Sequence, residues 1–77
     1  MELNMRTYKG VEYNDRHGGP FDRGSADSYY SRGRNPHWFP EGTYNGDKIA
    51  NLTPEEISEY NAGYDYNEQY GDKKDWG

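Results

Sequence analysis

Seventy-seven residues are enough for a single domain, read here as one unit over 1–77. Hydrophobic residues make up only 30% of the chain and the net charge is −5, which excludes a large aliphatic core and any run approaching the roughly 20 apolar residues of a membrane-spanning helix. Cysteine is absent, so neither a disulfide framework nor a thiolate zinc site is expected. Small secreted domains usually rely on such staples. Their absence, together with the lack of an apolar leader in residues 1–10, points to the cytoplasm.

The core-forming supply is unusual. Leu3, Val11, Ile49, Leu52 and Ile57 are the only leucine, isoleucine or valine residues, against nine tyrosines, two tryptophans and two phenylalanines. Any core must be built from rings, with tyrosine hydroxyls at its rim seeking water or partners. The competing expectation is disorder, because mean hydropathy is −1.49 and ten glycines interrupt the chain. Charge is uneven as well. Residues 1–40 carry six cations and five acids, whereas residues 41–77 carry three cations and nine acids. Distinct faces on an interaction protein, or simply a solvated acidic helix, would each produce that split.

In chain order, residues 5–13 read as a short strand pair: Tyr8, Val11 and Tyr13 suit strands and Lys9-Gly10 supplies a turn. Residues 14–20 are a loop by composition, and mobility is expected, if anywhere, in residues 1–20. A short helix is predicted over about 23–32, capped by Asp22 or Ser25, with Ala26, Tyr29 and Tyr30 on one face and Gly33 as its left-handed stop. Asn45-Gly46, between Thr43-Tyr44 and Ile49, predicts a hairpin. The clearest element follows. Thr53-Pro54-Glu55-Glu56 is a capping box with proline in the first turn, opening a helix over 54 to about 69 with an Ile57, Tyr60, Tyr64 stripe and Gly71 as its stop. Residues 72–77 are a tail, with Trp76 available to fold back onto the rings.

Glycine inside a helix costs about 1 kcal/mol relative to alanine. Gly24 and Gly63 each sit beside aromatic residues in the two predicted helices, so a crossing of bare backbones at these two positions would offset that cost. The alternative is that either glycine marks a break.

Arg23, Arg32, Arg34, His37 and Trp38 interleave cations with rings, the chemistry of RNA contact. Ion pairing of Arg23 or Arg32 to the acidic helix inside the fold is the alternative use of the same residues. A nucleophile-elbow pattern, metal-type histidine spacing and a phosphate-binding glycine loop are all missing. No catalytic residue, metal or cofactor is therefore expected, and the chain reads as a non-enzymatic binding protein.

Two resemblances add to this reading. The strings RGSADSYYSR, NPHWF and LTPEEISEYNAGY, spread over residues 20–77, resemble small proteins common in tailed-phage genomes. That resemblance implies expression in a host cytoplasm. Separately, Arg23-Gly24, Arg32, Pro36-His37 and Tyr60-x-x-Gly63-Tyr64 are similar to the pattern of the ribosome modulation factor family. By that resemblance Arg23, Arg32 and Arg34 would touch ribosomal RNA, and Tyr60, Gly63 and Tyr64 would hold a helix pair.

The expected fold is a small α+β domain: two short helices packed through tyrosines, with one or two small β-hairpins. The expected function is phage-type host modulation, in which the acidic helix face of Glu55, Glu56, Glu59, Asp65 and Glu68 engages a basic surface on a host protein complex, such as a defence system, and inhibits or redirects it. The alternative is ribosome or RNA binding through Arg23, Arg32, Arg34, His37 and Trp38. A third reading is a virion or assembly accessory. Self-association into a homodimer that buries rings is a further expectation, and no membrane partner is expected.

Overall fold

The computed structural model describes residues 5–42 and 46–74. The predicted Asn45-Gly46 turn, with Thr43 and Tyr44, and the predicted fold-back of Trp76 lie outside the described residues in whole or in part.

Strands β1 (Met5–Tyr8) and β2 (Val11–Asn14) pair antiparallel in the register Tyr8↔Val11 to Met5↔Asn14. The turn between them has φ 51° at Lys9 and φ 80° at Gly10. Two successive positive φ values define the type I′ turn, whose twist matches that of the strands it joins. This is the strand pair expected over 5–13.

Helix α1 spans Pro20–Tyr29 rather than the expected 23–32. Gly18-Gly19-Pro20, read from sequence as loop, is the helix start. Proline at the first helical position loses no hydrogen bond there, and the Asp22 carboxylate turns back to accept the Gly18 N–H at 2.9 Å. The stop also comes early. The Ser31 N–H donates to the Ser28 carbonyl and the Arg32 N–H to the Asp27 carbonyl, with Ser31 at φ 55°. That pair of bonds is a Schellman closure with serine, not Gly33, in the left-handed position. Its consequence is to bring Arg32 back beside Asp27.

Helix α2 spans Pro54–Tyr70, and its capping box forms as predicted. Thr53 Oγ1 accepts the Glu56 N–H at 3.2 Å, and Glu56 Oε1 accepts the Thr53 N–H at 2.8 Å. Residues 72–74 then run back along the end of α1, where the Lys74 N–H donates to the Tyr29 carbonyl at 2.6 Å.

The two helices cross at Gly24 and Gly63. A methyl group built on Gly24 would overlap the Tyr60 carbonyl, and one built on Gly63 would overlap the Phe21 carbonyl. The contact is reciprocal: Phe21-x-x-Gly24 on α1 meets Tyr60-x-x-Gly63 on α2, each glycine lying on the carbonyl of the other helix's aromatic residue. Such approach permits Cα–H···O contacts as well as dense packing. One turn further on, Asn67 Nδ2 donates to Ser28 Oγ at 3.0 Å.

That crossing decides which face of α1 is inside. Phe21, Gly24, Asp27 and Ser28 are buried, whereas Tyr29 and Tyr30, expected on the packed face, are 37% and 39% exposed. On α2, Tyr60 is fully buried but Ile57 of the predicted stripe is exposed. Rings build the core as expected. Tyr8, Phe21 and Ala62 form a cluster flanked by Tyr13 and Tyr66, with Tyr13 stacked on Phe21 and Tyr8 edge-on to Tyr66. The hydroxyls reach the rim, where Tyr8 meets Gln69 and Tyr66 meets Arg6. Beyond α1, Trp38 and Ile49 exchange backbone hydrogen bonds at 3.0 and 2.9 Å, which ties position 38 to position 49.

Candidate functional site

The cation-and-ring set predicted from sequence does not form one exposed surface. Arg23 and His37 are buried. Arg23 Nε lies 3.2 Å from His37 Nε2. A guanidinium only donates, so Nε2 accepts and the ring proton sits on Nδ1, which donates to the Asn35 carbonyl at 2.7 Å. Beside them is Asp27, almost wholly buried. Its Oδ2 accepts a short hydrogen bond from the Tyr60 hydroxyl, and its Oδ1 pairs with Arg32 Nε at 3.1 Å. The Tyr60 hydroxyl in turn accepts the Asn35 N–H at 2.9 Å. Burial, reinforced by the Asp27 hydrogen bond, pushes the Tyr60 phenol well above its ordinary value.

Arg32 and Arg34 are half exposed but engaged. Arg32 lies over the Tyr30 ring as well as on Asp27. Arg34 lies 4.3 Å from the Tyr64 centroid, pairs with Asp65 and donates to Asn61 at 3.1 Å. Trp38 is partly buried under Arg16, whose guanidinium is 4.9 Å from its ring, and its indole N–H is buried without a hydrogen-bond partner among the described residues. Ion pairing to the acidic helix thus falls to Arg34, while Arg23 and Arg32 are held within the α1 side of the fold.

The acidic set divides too. Asp65 is tied to Arg34, Glu68 is tied to Lys73 and accepts from the Ser28 hydroxyl, and Glu56 closes the capping box. Glu55 and Glu59 form no ion pair among the described residues. They stand one turn apart at the start of α2, facing the hairpin across a groove of about 560 Å³ lined by Val11, Glu12, Tyr13, Glu55, Ser58 and Glu59. Burial raises the Glu59 carboxyl above the usual range, and repulsion from Glu55 and Glu56 adds to it, with Arg16 opposing. Glu12 was missed from sequence because nothing local marks it. Only the docking of the hairpin on α2, through Tyr8 against Tyr66 and Gln69, carries it to that groove. Val11, 50% exposed, leaves an aliphatic surface on the same rim.

Among the described residues, no three histidine or acidic side chains gather as a metal site would require, and no helix is long and apolar enough to cross a membrane. No protein-family model matches the chain, and no curated protein or solved structure matches it.

Proposed function

We propose that this chain is a non-enzymatic, phage-type modulator that fastens onto a basic surface of a host protein complex and inhibits or redirects it. One observation carries the reading. Glu12, Glu55 and Glu59 line one open groove whose described lining residues include no cation, Arg16 acting on Glu59 from outside it, while Arg23, Arg32 and Arg34 are engaged inside the fold, on Asp27 or on Asp65. A lysine or arginine from a partner, set between Glu55 and Glu59, would relieve the repulsion that adds to burial in raising the Glu59 carboxyl. Val11 and Tyr13 would cover its aliphatic stem. The assignment to phage and host rests on the resemblance of RGSADSYYSR, NPHWF and LTPEEISEYNAGY.

Ribosome binding of the ribosome modulation factor type draws less support from this geometry. Of its five residues, Arg23 and His37 are buried against each other, Arg34 is paired with Asp65 and Arg32 is anchored to Asp27 through Nε, and a chain of net charge −5 repels a phosphate backbone.

Affinity capture from nuclease-treated bacterial lysate, with binding then measured on the purified partner, tests the reading. The triple variant Glu12→Lys, Glu55→Lys, Glu59→Lys should lose at least about 100-fold in affinity, as expected when several complementary charges reverse. Glu68→Lys, away from the groove, should change little. Equal affinity of the triple variant, with helix content retained by circular dichroism, would overturn the proposal. Capture that disappears with nuclease and fails in an Arg32→Ala, Arg34→Ala variant would favour RNA instead.

A further inference from the structure

A second concavity has the opposite electrical character. It measures about 440 Å³ and is lined by Arg23 and Asp27 of α1, by Arg32, His37 and Phe39 of the segment that follows, and by Lys48. In an acidic chain it gathers three cations against one carboxylate. Both oxygens of that carboxylate are already engaged, Oδ2 by the Tyr60 hydroxyl and Oδ1 by Arg32 Nε.

We infer that this cleft binds a small organic phosphate monoester, held by Arg32 and Lys48 over the Arg23–His37 floor, with its organic part against Phe39. Four observations support this. First, the floor is preorganised. Arg23, Asp27, His37 and Phe39 are all less than a tenth exposed, and His37 is fixed by hydrogen bonds at both ring nitrogens. Such a floor loses little freedom when a ligand arrives. Second, two of the cations retain capacity. Arg32 reaches Asp27 through Nε, and its terminal amino groups make no hydrogen bond among the described residues. Lys48 is exposed and forms no ion pair among them. Third, the cations arrive from separate stretches of chain: α1, the α1 exit and residue 48. Donors converging from several directions suit a tetrahedral oxyanion, whereas a planar carboxylate is matched by one guanidinium fork. Fourth, the volume falls in the range of small-ligand sites, and Phe39 and the His37 ring provide an apolar wall. A nucleic-acid strand would need a basic track leading away from the cleft. The neighbouring cations are instead laid on rings: Arg34 on Tyr64 and Arg16 on Trp38.

The cleft is separate from the acidic groove, so this inference and the proposed function fail independently. The test is a titration of the ¹⁵N-labelled chain with phenyl phosphate, followed by two-dimensional NMR, with phenylacetate and a short single-stranded RNA as parallel arms. Phenyl phosphate should produce saturable shifts concentrated at Arg32, His37, Phe39 and Lys48. Phenylacetate should bind at least tenfold more weakly. Lys48→Ala, an exposed substitution that leaves the folded spectrum intact, should weaken phenyl phosphate at least fivefold, and Arg32→Gln should do the same by a route independent of Lys48. Non-saturating shifts, shifts spread over Lys9, Lys73 and Lys74, equal binding of phenylacetate, or tighter binding of the RNA through the same residues would each overturn it.

Discussion

Helices α1 and α2 make the same contact and use it in opposite ways. Each offers an aromatic residue followed three positions later by a glycine, and each glycine lies against the carbonyl of the other helix's aromatic residue. Around that shared joint, α1 turns its charges inward: Arg23 and Asp27 are buried in a network with His37 and Tyr60. By contrast, α2 leaves its charges outside, with Glu55 and Glu59 facing open solvent in a groove. Summing charge along the sequence therefore misleads about the surface. The cation-rich half of the chain does not present an unopposed basic face, because Arg23 is buried and Arg6, Arg32 and Arg34 are paired with Asp15, Asp27 and Asp65.

The largest effect should come from the shared joint. Gly24→Ala and Gly63→Ala each drive a methyl group into main-chain carbonyls, which cannot swing aside as a side chain can. Overpacking typically costs about 1–3 kcal/mol, and occasionally more. Against backbone on both sides, the cost should reach or pass the top of that range. In a domain this small that is a large share of the whole. Urea denaturation should show either variant losing its cooperative transition or shifting its midpoint sharply downward. If the two differ widely, the reciprocity of the joint is broken.

Much of this was legible in the sequence. The capping box at Thr53, the Lys9-Gly10 turn and the Gly24–Gly63 crossing are local or paired signals with few competing solutions. What was not legible came from the crossing itself. Once Gly24 is fixed on α2, residues 27 and 28 must point inward and residues 29 and 30 outward, so the polar Asp27 and Ser28 are buried while two tyrosines are exposed. A hydrophobic pattern reads the reverse. An inward Arg23 was one of the two expected uses of that residue, but its partner was not legible, since His37 lies in a segment without regular structure rather than on the acidic helix. Glu12 escaped because the hairpin's docking against α2, not its own sequence, brings it to the groove.

The inward side of the comparison is sharpened by Tyr60→Phe. It removes the hydroxyl that donates to Asp27 and accepts from the Asn35 N–H, leaving a buried carboxylate oxygen and a backbone donor short of a partner. Hydrogen bonds to charged groups contribute about 1.5–3 kcal/mol, so thermal or urea unfolding should shift accordingly. The parent chain should also carry an alkaline signature. The phenol's value is raised on folding, so its contribution is complete below the unfolded value of about 10 and is lost as pH rises past it toward the folded value. Stability of the parent should fall more steeply above pH ~10 than that of Tyr60→Phe. Parallel curves would show that the phenol is not held as described.

The seam between the two sides should matter less. Arg34→Ala gives up the Asp65 pair, the Asn61 hydrogen bond and the stack on Tyr64, yet the guanidinium and the carboxylate are both nearly half exposed. Solvent screening holds exposed pairs to about 0–1 kcal/mol. The midpoint should fall slightly and less so at high salt, whereas a loss comparable with that of Tyr60→Phe would mean that α2 turns charge inward as well.

The smallest effect carries the opposite sign. Glu59→Gln should stabilise the chain. Burial and the neighbouring Glu55 and Glu56 raise the Glu59 carboxyl, so the fold prefers its neutral form. That preference favours folding at low pH and is lost as pH rises through the raised folded value, leaving a net cost once the group is ionised. Glutamine keeps the shape and removes the charge. Because the carboxylate is only partly buried, the gain should stay below about 1 kcal/mol, visible as a small rise in melting temperature at pH 7 that vanishes below pH ~4, where the parent group is protonated as well. A partner that supplies a cation to the groove should reverse the order: the parent would then gain more on binding than the glutamine variant. The same carboxylate would thus weaken the free protein and strengthen the complex, the pattern expected of a charge kept for recognition rather than for folding.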